Sequence, residues 1–328
     1  MEVLSRKHPH SPTQDSHTSP KCVRTRENAM ELVKFLIMSD THGADLPAML
    51  PECDVLLHCG DFTEDGSPRS ISETLGALRK IKAELKLVIA GNHEISLDQR
   101  YYQGEGGSLA DVQSSQDMVK KGNHGITFLS EGTYTFTLKS GATFSIYASP
   151  YTPAYGSSAF QYPSGEDRFN PVSITPSWAK NVGTTNSIIP QDTDIIITHG
   201  PPKYILDTTA DGRSAGCEHL RRAVERVKPK LLCFGHVHAG YGAQRIEYGE
   251  HAGSTADSDT ILPLAKEWVG KNQAKKKGFA SLPPGSKEDF SRGNQTMCVN
   301  AAMESEKGIL ENAPWLVELD LDVLDIAE

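Results

Sequence analysis

The stretch Leu231-Leu232-Cys233-Phe234-Gly235-His236-Val237-His238 joins a short apolar run to a glycine and two histidines. An uninterrupted apolar run bounded by glycine is typical of a strand that is buried on both faces. His236 and His238 are one residue apart, as are Asp40 and His42, so in an extended segment the two side chains of each pair would point to the same side. Imidazole is a common ligand of divalent transition metals. The stretch therefore predicts a buried strand that ends in a metal site, although histidines at a strand end can also simply pack.

Four other segments close apolar runs in the same way. They are Ser39-Asp40-Thr41-His42, Gly60-Asp61, Gly91-Asn92-His93-Glu94 and Thr198-His199-Gly200. Each has an ordinary alternative when taken alone, such as a capped turn, a loop aspartate or a histidine packed under a proline turn. In open α/β sheets, however, ligands gather at the carboxyl ends of the strands. Because all five segments follow predicted strands, we interpret them as parts of one site.

The pattern between these segments predicts a layered α/β domain. Buried strands are expected at residues 32–38, 55–57, 85–90, 195–197 and 231–234. Apolar residues at helical spacing predict one helix that starts at Ser67-Pro68 and another that runs from Cys217 to Val227. Alternation over Thr133 to Tyr147 predicts a β-hairpin and hence a second sheet. Late strands are expected at residues 297–301 and 315–321.

Composition limits the function classes. The chain has 328 residues, of which 38% are hydrophobic and 23% charged, as in ordinary soluble globular proteins. Its formal net charge of −9 argues against duplex nucleic acid as the main partner, because binding DNA usually leaves a basic surface. No apolar stretch approaches the roughly 18 residues of a membrane span, so no membrane partner is expected. Six scattered cysteines without a CxxC pair, and an N-terminus without a signal sequence, predict a cytoplasmic protein.

Two regions fall outside the regular pattern. Residues 1–30 are rich in Ser, Pro, His and charge, and they predict a disordered tail in front of one domain that spans residues 31–328. Residues 253–295 contain a lysine run and adjacent prolines, which indicates an inserted excursion, expected to be partly helical around residues 261–269. The lysine run can be read as a contact for an anion, but lysine runs are usually just exposed.

The five segments, in this order, resemble the motifs of the calcineurin-like metallophosphoesterases. Finer features are similar to the metallophosphoesterase-domain-containing branch of that family. These are Gly60-Asp61-Phe62-Thr63, Thr198-His199-Gly200-Pro201-Pro202, Gly216-Cys217-Glu218, the stretch from Phe234 to Gly242, and Val299-Asn300-Ala301. The resemblance implies a four-layer α/β/β/α sandwich with two central β-sheets.

The resemblance also implies a set of site residues. One cation would be held by Asp40, His42, Asp61 and His238, and the other by Asp61, Asn92, His199 and His236. His93 would lie near the leaving group, so the catalytic set is His93, Asn92 and the bridging Asp61. The implied cofactors are two divalent metal ions. Mixed nitrogen and oxygen ligation suits Mn, Fe, Zn, Co or Ni, and the sequence does not choose among them.

The expected function is hydrolysis of small phosphodiesters by attack of a metal-bound hydroxide. In the branch that the chain resembles, the expected substrates are cyclic nucleotides, either 2′,3′-cyclic or 3′,5′-cyclic. The partner would thus be a small-molecule phosphodiester or nucleotide, and the oligomeric state is left open. Two alternatives remain: a phosphomonoesterase or protein phosphatase with the same metals, and a nucleotide-binding regulator with little catalysis.

Several other residues near the motifs have open roles. Glu94 can orient His93 or its loop, or it can be a surface carboxylate. His58 lies inside a strand run and is expected to pack beside the site. Arg213 can contact a phosphate, although a surface arginine at a helix entry is favoured. Four aromatic residues lie in the predicted loops: Tyr151, Tyr155, Phe160 and Tyr162. They can stack on a nucleobase, although ordinary packing within the protein is favoured.

Overall fold

A computed structural model describes residues 29–120, 125–248, 260–263, 278–282 and 294–323 of the chain. Most of the predicted tail and most of the 253–295 excursion lie outside these residues, so the division into tail, domain and excursion stays a prediction. The first described strand begins at Met30, one residue before the predicted start of the domain.

The strands are numbered here in chain order. They are β1 Met30–Met38, β2 Val55–His58, β3 Leu85–Val88, β4 Thr127–Phe128, β5 Gly132–Thr137, β6 Thr143–Ser149, β7 Thr152–Pro153, β8 Gln161–Tyr162, β9 Glu166–Asp167, β10 Lys180–Asn181, β11 Ile195–Thr198, β12 Leu231–Phe234, β13 Gly242–Glu247, β14 Thr260–Pro263, β15 Ala280–Ser281, β16 Gln295–Asn300 and β17 Trp315–Asp322. The α-helices of the described residues are α1 Pro68–Leu78, α2 Gln99–Gly104, α3 Leu109–Lys120 and α4 Glu218–Val227. Short 3₁₀ helices cover Ile95–Leu97, Val172–Ile174 and His238–Gly240.

Two large sheets form the centre of the molecule. The first has the strand order β15-β17-β1-β2-β3-β4, and its strands β1 to β4 are parallel. The second has the order β14-β13-β16-β12-β11-β6-β5, with β6, β11, β12 and β16 parallel. The predicted hairpin is present as the antiparallel pair β5 and β6 at the edge of this second sheet.

Apolar side chains from both sheets meet in a common core, in which Phe35 of β1 packs edge-on against Phe144 of β6 at 5.6 Å between ring centroids. A second apolar cluster joins α1 to the outer face of the first sheet through Ile71 and Leu75. A third joins α4 to the outer face of the second sheet through Leu220 and Val224. The layers therefore follow the order α/β/β/α, which confirms the predicted four-layer sandwich.

The predicted helices begin where their sequences indicate. Ser67 caps α1, because its hydroxyl accepts a hydrogen bond from the Ser70 N–H at 3.2 Å, and Pro68 occupies the first turn. Cys217 takes the same place in α4, where its sulfur accepts from the Leu220 N–H at 3.2 Å. Both helices pack outside the sheets and leave the carboxyl ends of the strands open.

One predicted element is wrong in part. The excursion was expected to be helical around residues 261–269, but Thr260–Pro263 form strand β14, which pairs antiparallel with β13. The exposed hydrogen-bonding groups at the edge of β13 provide a partner that local sequence does not reveal. The remainder of 261–269 lies outside the described residues.

Along the described parts of the chain, every helix is too short or too polar to span a bilayer.

Candidate metal centre

The predicted site residues lie together where parallel strands of both sheets end. Asp40 and His42 follow β1, Asp61 follows β2, and Asn92 and His93 follow β3 of the first sheet. His199 follows β11, and His236 and His238 follow β12 of the second sheet. The two edges are in direct contact, because His199 Nδ1 lies 2.9 Å from the Cys59 carbonyl oxygen across the sheets. The structure thus brings all eight predicted residues to one place.

Gly60 allows the two edges to approach each other closely. Its φ angle is +98°, and a Cβ atom there would lie 2.7 Å from both the Ala90 carbonyl oxygen and His199 Nδ1. A side chain at this position would push His199 away from Asp61. A residue without a Cβ atom is therefore needed at this position.

The backbone at the motifs differs from the extended form predicted for the Asp40–His42 and His236–His238 pairs. Asp40, His42 and His236 have φ angles of 52°, 46° and 66°, and Asp61 has 50°. The side chains converge because the backbone turns at these residues, not because alternate residues of a strand share a face. Backbone hydrogen bonds to the Gly60-Asp61 motif hold two of these turns. The Asp40 N–H donates to the Gly60 carbonyl at 3.0 Å, and the His42 N–H donates to the Asp61 carbonyl at 3.1 Å.

The nitrogen and carboxylate donors form two neighbouring groups. The first group consists of Asp40, His42 and His238. In both groups, the possible ligand atoms lie within 4.8 Å of one another. In this group His238 Nε2 is 3.2 Å from Asp40 Oδ1, and the His42 and His238 rings are 5.5 Å apart between centroids. We name this group the first metal group.

Asp61, His199 and His236 make the second metal group. His199 Nε2 lies 3.1 Å from Asp61 Oδ2 and 2.9 Å from the Asn92 side-chain oxygen, so the predicted amide ligand belongs to this group as well. Asp61 also forms a compact set with His42 and His93, and its Oδ1 accepts the His93 N–H at 2.8 Å. It therefore lies between the two groups, as a bridging ligand must.

Charges at the site are coupled. Burial opposes ionisation of Asp61, but the neighbouring His199 charge and hydrogen bond hold its pKa well below the usual range. Burial would lower the pKa of His199, yet Asp61 raises it to about 9. Burial, followed by the His199 charge, lowers the pKa of His236 to about 4. Without a cation, Asp61 is thus ionised and His236 is neutral at neutral pH, which are the states that ligate a metal, whereas His199 carries a proton that it must release when a cation binds.

Glu94 organises the motif loops rather than lying on the surface. It is fully buried, and its carboxylate accepts backbone hydrogen bonds from Asp61, Thr63 and Gly91 at 3.0, 2.8 and 2.7 Å, plus one from the Thr63 hydroxyl at 2.9 Å. Burial and the Asp61 charge raise its pKa to about 7, while these donors favour the ionised form. Of the two open roles for Glu94, the structure supports the ordering of the loop.

His93 lies at the rim of the site with its side chain about one-third exposed. Its Nδ1 is 2.7 Å from the Glu64 carbonyl oxygen, and because a carbonyl only accepts, Nδ1 carries the proton. The His93 ring packs edge-on against His42 at 4.6 Å between centroids. Burial opposes protonation of His93, but Asp61 and the Glu64 carbonyl raise its pKa.

The residues present fit divalent cations. The ring nitrogens of His42 are buried, and neither makes a well-aligned hydrogen bond, although Nδ1 lies 2.9 Å from the Glu64 carboxylate. Buried polar atoms normally have partners. A cation beside His42 would supply the missing partner. The mixture of imidazole, carboxylate and amide donors suits Mn, Fe, Zn, Co or Ni.

Other residues considered from the sequence have structural roles. His58 is buried with its Nε2 3.0 Å from the Thr41 hydroxyl, and burial lowers its pKa to about 3. This places it as a packed neighbour of the site, as expected. Arg213 pairs with Asp211 at 2.6 Å and donates to the Tyr155 hydroxyl at 3.0 Å, so it is a surface arginine.

Sequence reasoning missed two carboxylates at the site. Glu64 and Glu304 form a compact set with His42, in which the ligand atoms lie within 4.8 Å of one another. Glu304 comes from the segment after β16, which also places Asn300 beside the site, where its side-chain N–H₂ donates to the Val237 carbonyl at 2.9 Å. Glutamate in a loop carries no local signal of such a position, so only the fold reveals it.

Comparison with known proteins identifies relatives. A family model described as calcineurin-like phosphoesterase matches residues 33–240. The human metallophosphoesterase domain-containing protein 1 is 34% identical over 221 residues, which are 64% of this chain and 61% of that protein. A protein of Emericella nidulans named "Probable rhamnogalacturonate lyase C" is 34% identical over 217 residues, 66% of this chain but 18% of that protein. The chain thus matches less than two thirds of the length of either relative.

One solved structure is matched at low sequence identity and with a low TM-score. Purple acid phosphatase PPD1 from yellow lupin (Lupinus luteus) seeds is 13% identical, with a TM-score of 0.37, over 84% of this chain and 45% of the lupin chain.

Proposed function

Because the chain belongs to the calcineurin-like phosphoesterase family, we propose that it hydrolyses small phosphodiesters with two divalent cations. The observation that carries the proposal is the convergence of the first and second metal groups on Asp61. In this proposal Asp40, His42 and His238 hold one cation and Asn92, His199 and His236 hold the other. A ligand atom of Asp61 lies within 4.8 Å of His42 on one side and of His199 and His236 on the other.

Phosphodiester hydrolysis needs a nucleophile, charge neutralisation and a proton for the leaving oxygen. Divalent cations polarise phosphoryl oxygens and lower the pKa of a bound water toward ~7. His93 is the residue of this chain that can donate the proton, since Nδ1 is fixed on the Glu64 carbonyl and Nε2 stays available to the substrate. Glu94 keeps the loops of Asp61 and Asn92 in register through its buried hydrogen bonds.

Cyclic nucleotides are the proposed substrates within this class. A cavity of about 460 Å³ is lined by Ala90, which lies two residues before Asn92, and by Pro150, Tyr151 and Phe160. The loop that carries the aromatic residues is tied to the Asn92 segment, because the Ser158 hydroxyl donates to the Asn92 carbonyl at 3.1 Å. An amphipathic cavity with aromatic walls suits a flat nucleobase.

The central experiment is a metal-resolved activity screen. The purified chain is stripped of metal, reloaded separately with Mn²⁺, Fe²⁺, Zn²⁺, Co²⁺ or Ni²⁺, and assayed on bis-aryl phosphates, mono-aryl phosphates and both kinds of cyclic nucleotide. We expect kcat/KM for diesters to exceed that for monoesters. Dominant monoester turnover would instead indicate a phosphomonoesterase. Tight nucleotide binding by fully metallated protein without hydrolysis would indicate a regulator.

Asp61→Asn tests the bridging position. A carboxylate can bind one cation with each of its two negatively charged oxygens, whereas an amide is neutral and has a single oxygen. We therefore expect Asp61→Asn to lose at least one cation and its turnover to fall by about 100-fold or more. Elemental analysis and steady-state kinetics measure the two effects. The exposed Asp45→Asn, near the same edge, is the control and should match the wild type. Two cations per chain with normal rates in Asp61→Asn would rule out the bridge.

Phe160→Ala tests the nucleobase cavity. Loss of one stacking surface worth ~1–3 kcal/mol should raise KM for cyclic nucleotides by about 5- to 150-fold, with metal content unchanged. Tyr155→Ala, an exposed aromatic on the same loop, is the matched control and should have little effect. If KM is the same in both variants and the wild type, the base binds elsewhere.

A further inference from the structure

Two carboxylates outside the predicted ligand set lie against the histidines of the first metal group. Glu304 Oε1 is 3.7 Å from His238 Nδ1, and Glu64 Oε2 is 2.9 Å from His42 Nδ1. The other ring nitrogen of His238, Nε2, lies 3.2 Å from Asp40 Oδ1 and so points into the metal group. His238 therefore directs Nε2 towards the proposed cation and has the Glu304 carboxylate near Nδ1.

The backbone fixes Glu304 in this position. Its N–H donates to the Asp40 carbonyl at 3.1 Å, and the N–H of Met303 donates to the Ser39 carbonyl at 2.9 Å. The Glu304 side chain is only 17% exposed. The segment after β16 thus lies along the Asp40 motif like an additional strand, and the Glu304 carboxylate is held near His238. Glu64 is 69% exposed, but its own backbone carbonyl is engaged by His93.

Carboxylates in this position have a known physical effect on metal-bound histidines. A histidine that ligates a cation through one nitrogen usually donates the N–H of the other to a carboxylate or a carbonyl. The acceptor selects the tautomer, orients the ring and makes the ligating nitrogen more basic. Glu64 and Glu304 also lie within 4.8 Å of each other beside His42, so their mutual repulsion is relieved when a cation occupies the first metal group.

We propose that Glu304 and Glu64 are positioning residues for His238 and His42, and that they determine how tightly the first metal group holds its cation. This inference rests on the proposed function in one respect, because it requires that the two metal groups bind cations. It adds that the C-terminal segment containing Glu304, which lies beyond the residues matched by the family model, completes the centre.

The test is a metal-binding titration of the full chain. Wild type, Glu304→Ala, Glu304→Gln and Glu64→Ala are stripped of metal and titrated with Co²⁺, with calorimetry and the visible absorption of bound Co²⁺ as readouts. We expect one of the two dissociation constants to rise about 10- to 100-fold, the same one in both alanine variants, while the other stays unchanged. Glu304→Gln keeps a hydrogen-bond acceptor of the same size, so it should recover part of the loss and should preserve folding.

Matched controls are available near each residue. Glu306→Ala and Glu73→Ala remove exposed carboxylates and should titrate like the wild type. Urea unfolding without metal should give the same midpoint for all variants, because a positioning role does not require Glu304 for the fold.

The outcomes separate the two proposals. If the wild type binds two Co²⁺ ions and the variants bind them with equal affinity and an unchanged spectrum, the positioning role is wrong and the proposed function stands. If the Glu304 variants shift the metal-free urea midpoint instead of the Co²⁺ affinity, Glu304 is merely structural and the inference is again overturned. If the wild type binds no divalent cation, the proposed function itself fails.

Discussion

Left-handed backbone conformations occur at four of the proposed ligands: Asp40, His42, Asp61 and His236. Such a conformation costs a residue with a Cβ atom roughly 1–2 kcal/mol, and it persists only where its surroundings over-determine it. Here the surrounding hydrogen bonds do so; for example, the His236 N–H donates to both Asp40 carboxylate oxygens at 3.1 and 3.0 Å. Half of the non-glycine residues with positive φ angles in the described structure are thus proposed ligands, and there the turned backbone orients the side chains.

At this scale the sequence indicates which residues are candidate ligands, but it does not predict their backbone conformation. The motif residues were recognised because aspartate, asparagine and histidine after apolar runs are chemically distinctive. The extended form predicted for the Asp40–His42 pair was wrong, because the turn depends on backbone partners in the Gly60-Asp61 motif of the next strand. Glu64 and Glu304 were missed for the same reason, since only tertiary contacts bring them to the histidines.

His93→Ala is the informative substitution at the residue scale. His93 is part of neither metal group as proposed, so both cations should be retained while kcat falls by about 10²–10⁴-fold. The loss should be larger for an alkoxide leaving group, as in a cyclic nucleotide, than for a nitrophenolate, which needs no proton. Metal analysis and kcat on both substrates measure this. Equal losses on both substrates would contradict a proton-donating role.

At the scale of single elements, the end of β12 lies against the end of β1. A Cβ atom on Gly235 would overlap the Asp40 carboxylate and the Ser39 hydroxyl. This close approach is what places His236 within hydrogen-bonding distance of Asp40. The glycine is needed for space, because its φ angle is not in the left-handed region.

Gly235→Ala should therefore displace Asp40, with a loss of about 1–3 kcal/mol in the free energy of unfolding and weaker binding of the cation in the first metal group. Gly76→Ala is the contrasting control. Gly76 lies inside α1 with open space around its Cβ position, so alanine there should raise stability by about 0.5–1 kcal/mol. Urea unfolding of both variants measures the difference. A neutral Gly235→Ala would show that the two strand ends can separate without cost.

Elements with strong local signals were predictable and weak ones were not. The buried strands of both sheets and helices α1 and α4 follow from apolar runs and clear periodicity. Helix α3 escaped prediction because few apolar residues mark its inner face; Val112 is buried, whereas Leu109 is exposed. Strand β14 depends on the edge of β13, and short strands such as β7 and β9 depend on loop packing.

At the scale of the whole molecule, the first and last described strands are neighbours. Strand β17 pairs antiparallel with β1 along its length, from Met30 opposite Asp322 to Ile37 opposite Trp315. The sandwich was expected from the family resemblance, but this pairing was not, because it joins segments at opposite ends of the sequence and no local pattern encodes the partner. It extends the first sheet on the side away from β4, where β15 pairs with β17 in turn.

A circular permutant follows from this pairing. The Val323 N–H donates to the Ala29 carbonyl at 2.9 Å, so a short glycine-serine linker can join these residues. New termini between Glu105 and Gly106 fall in an exposed turn between α2 and α3, where cleavage of the backbone should be tolerated. We expect the permutant to fold and to bind the same number of cations as the original chain. Circular dichroism and metal analysis check this, and an unfolded permutant would show that the order of synthesis matters for this sheet.

The contact of Glu304 with the Asp40 motif also has a consequence for biosynthesis. Asp40 leaves the ribosome well before β16 and the segment that follows it. At about 5–20 residues per second, the two parts of the centre are separated by roughly 10–50 s. During this interval β1 has no β17 beside it and the motif histidines have no Glu304. The centre can reach its final form only once Glu304 has been made, so a nascent chain stalled before β16 would expose an incomplete set of ligands to the metals of the cell.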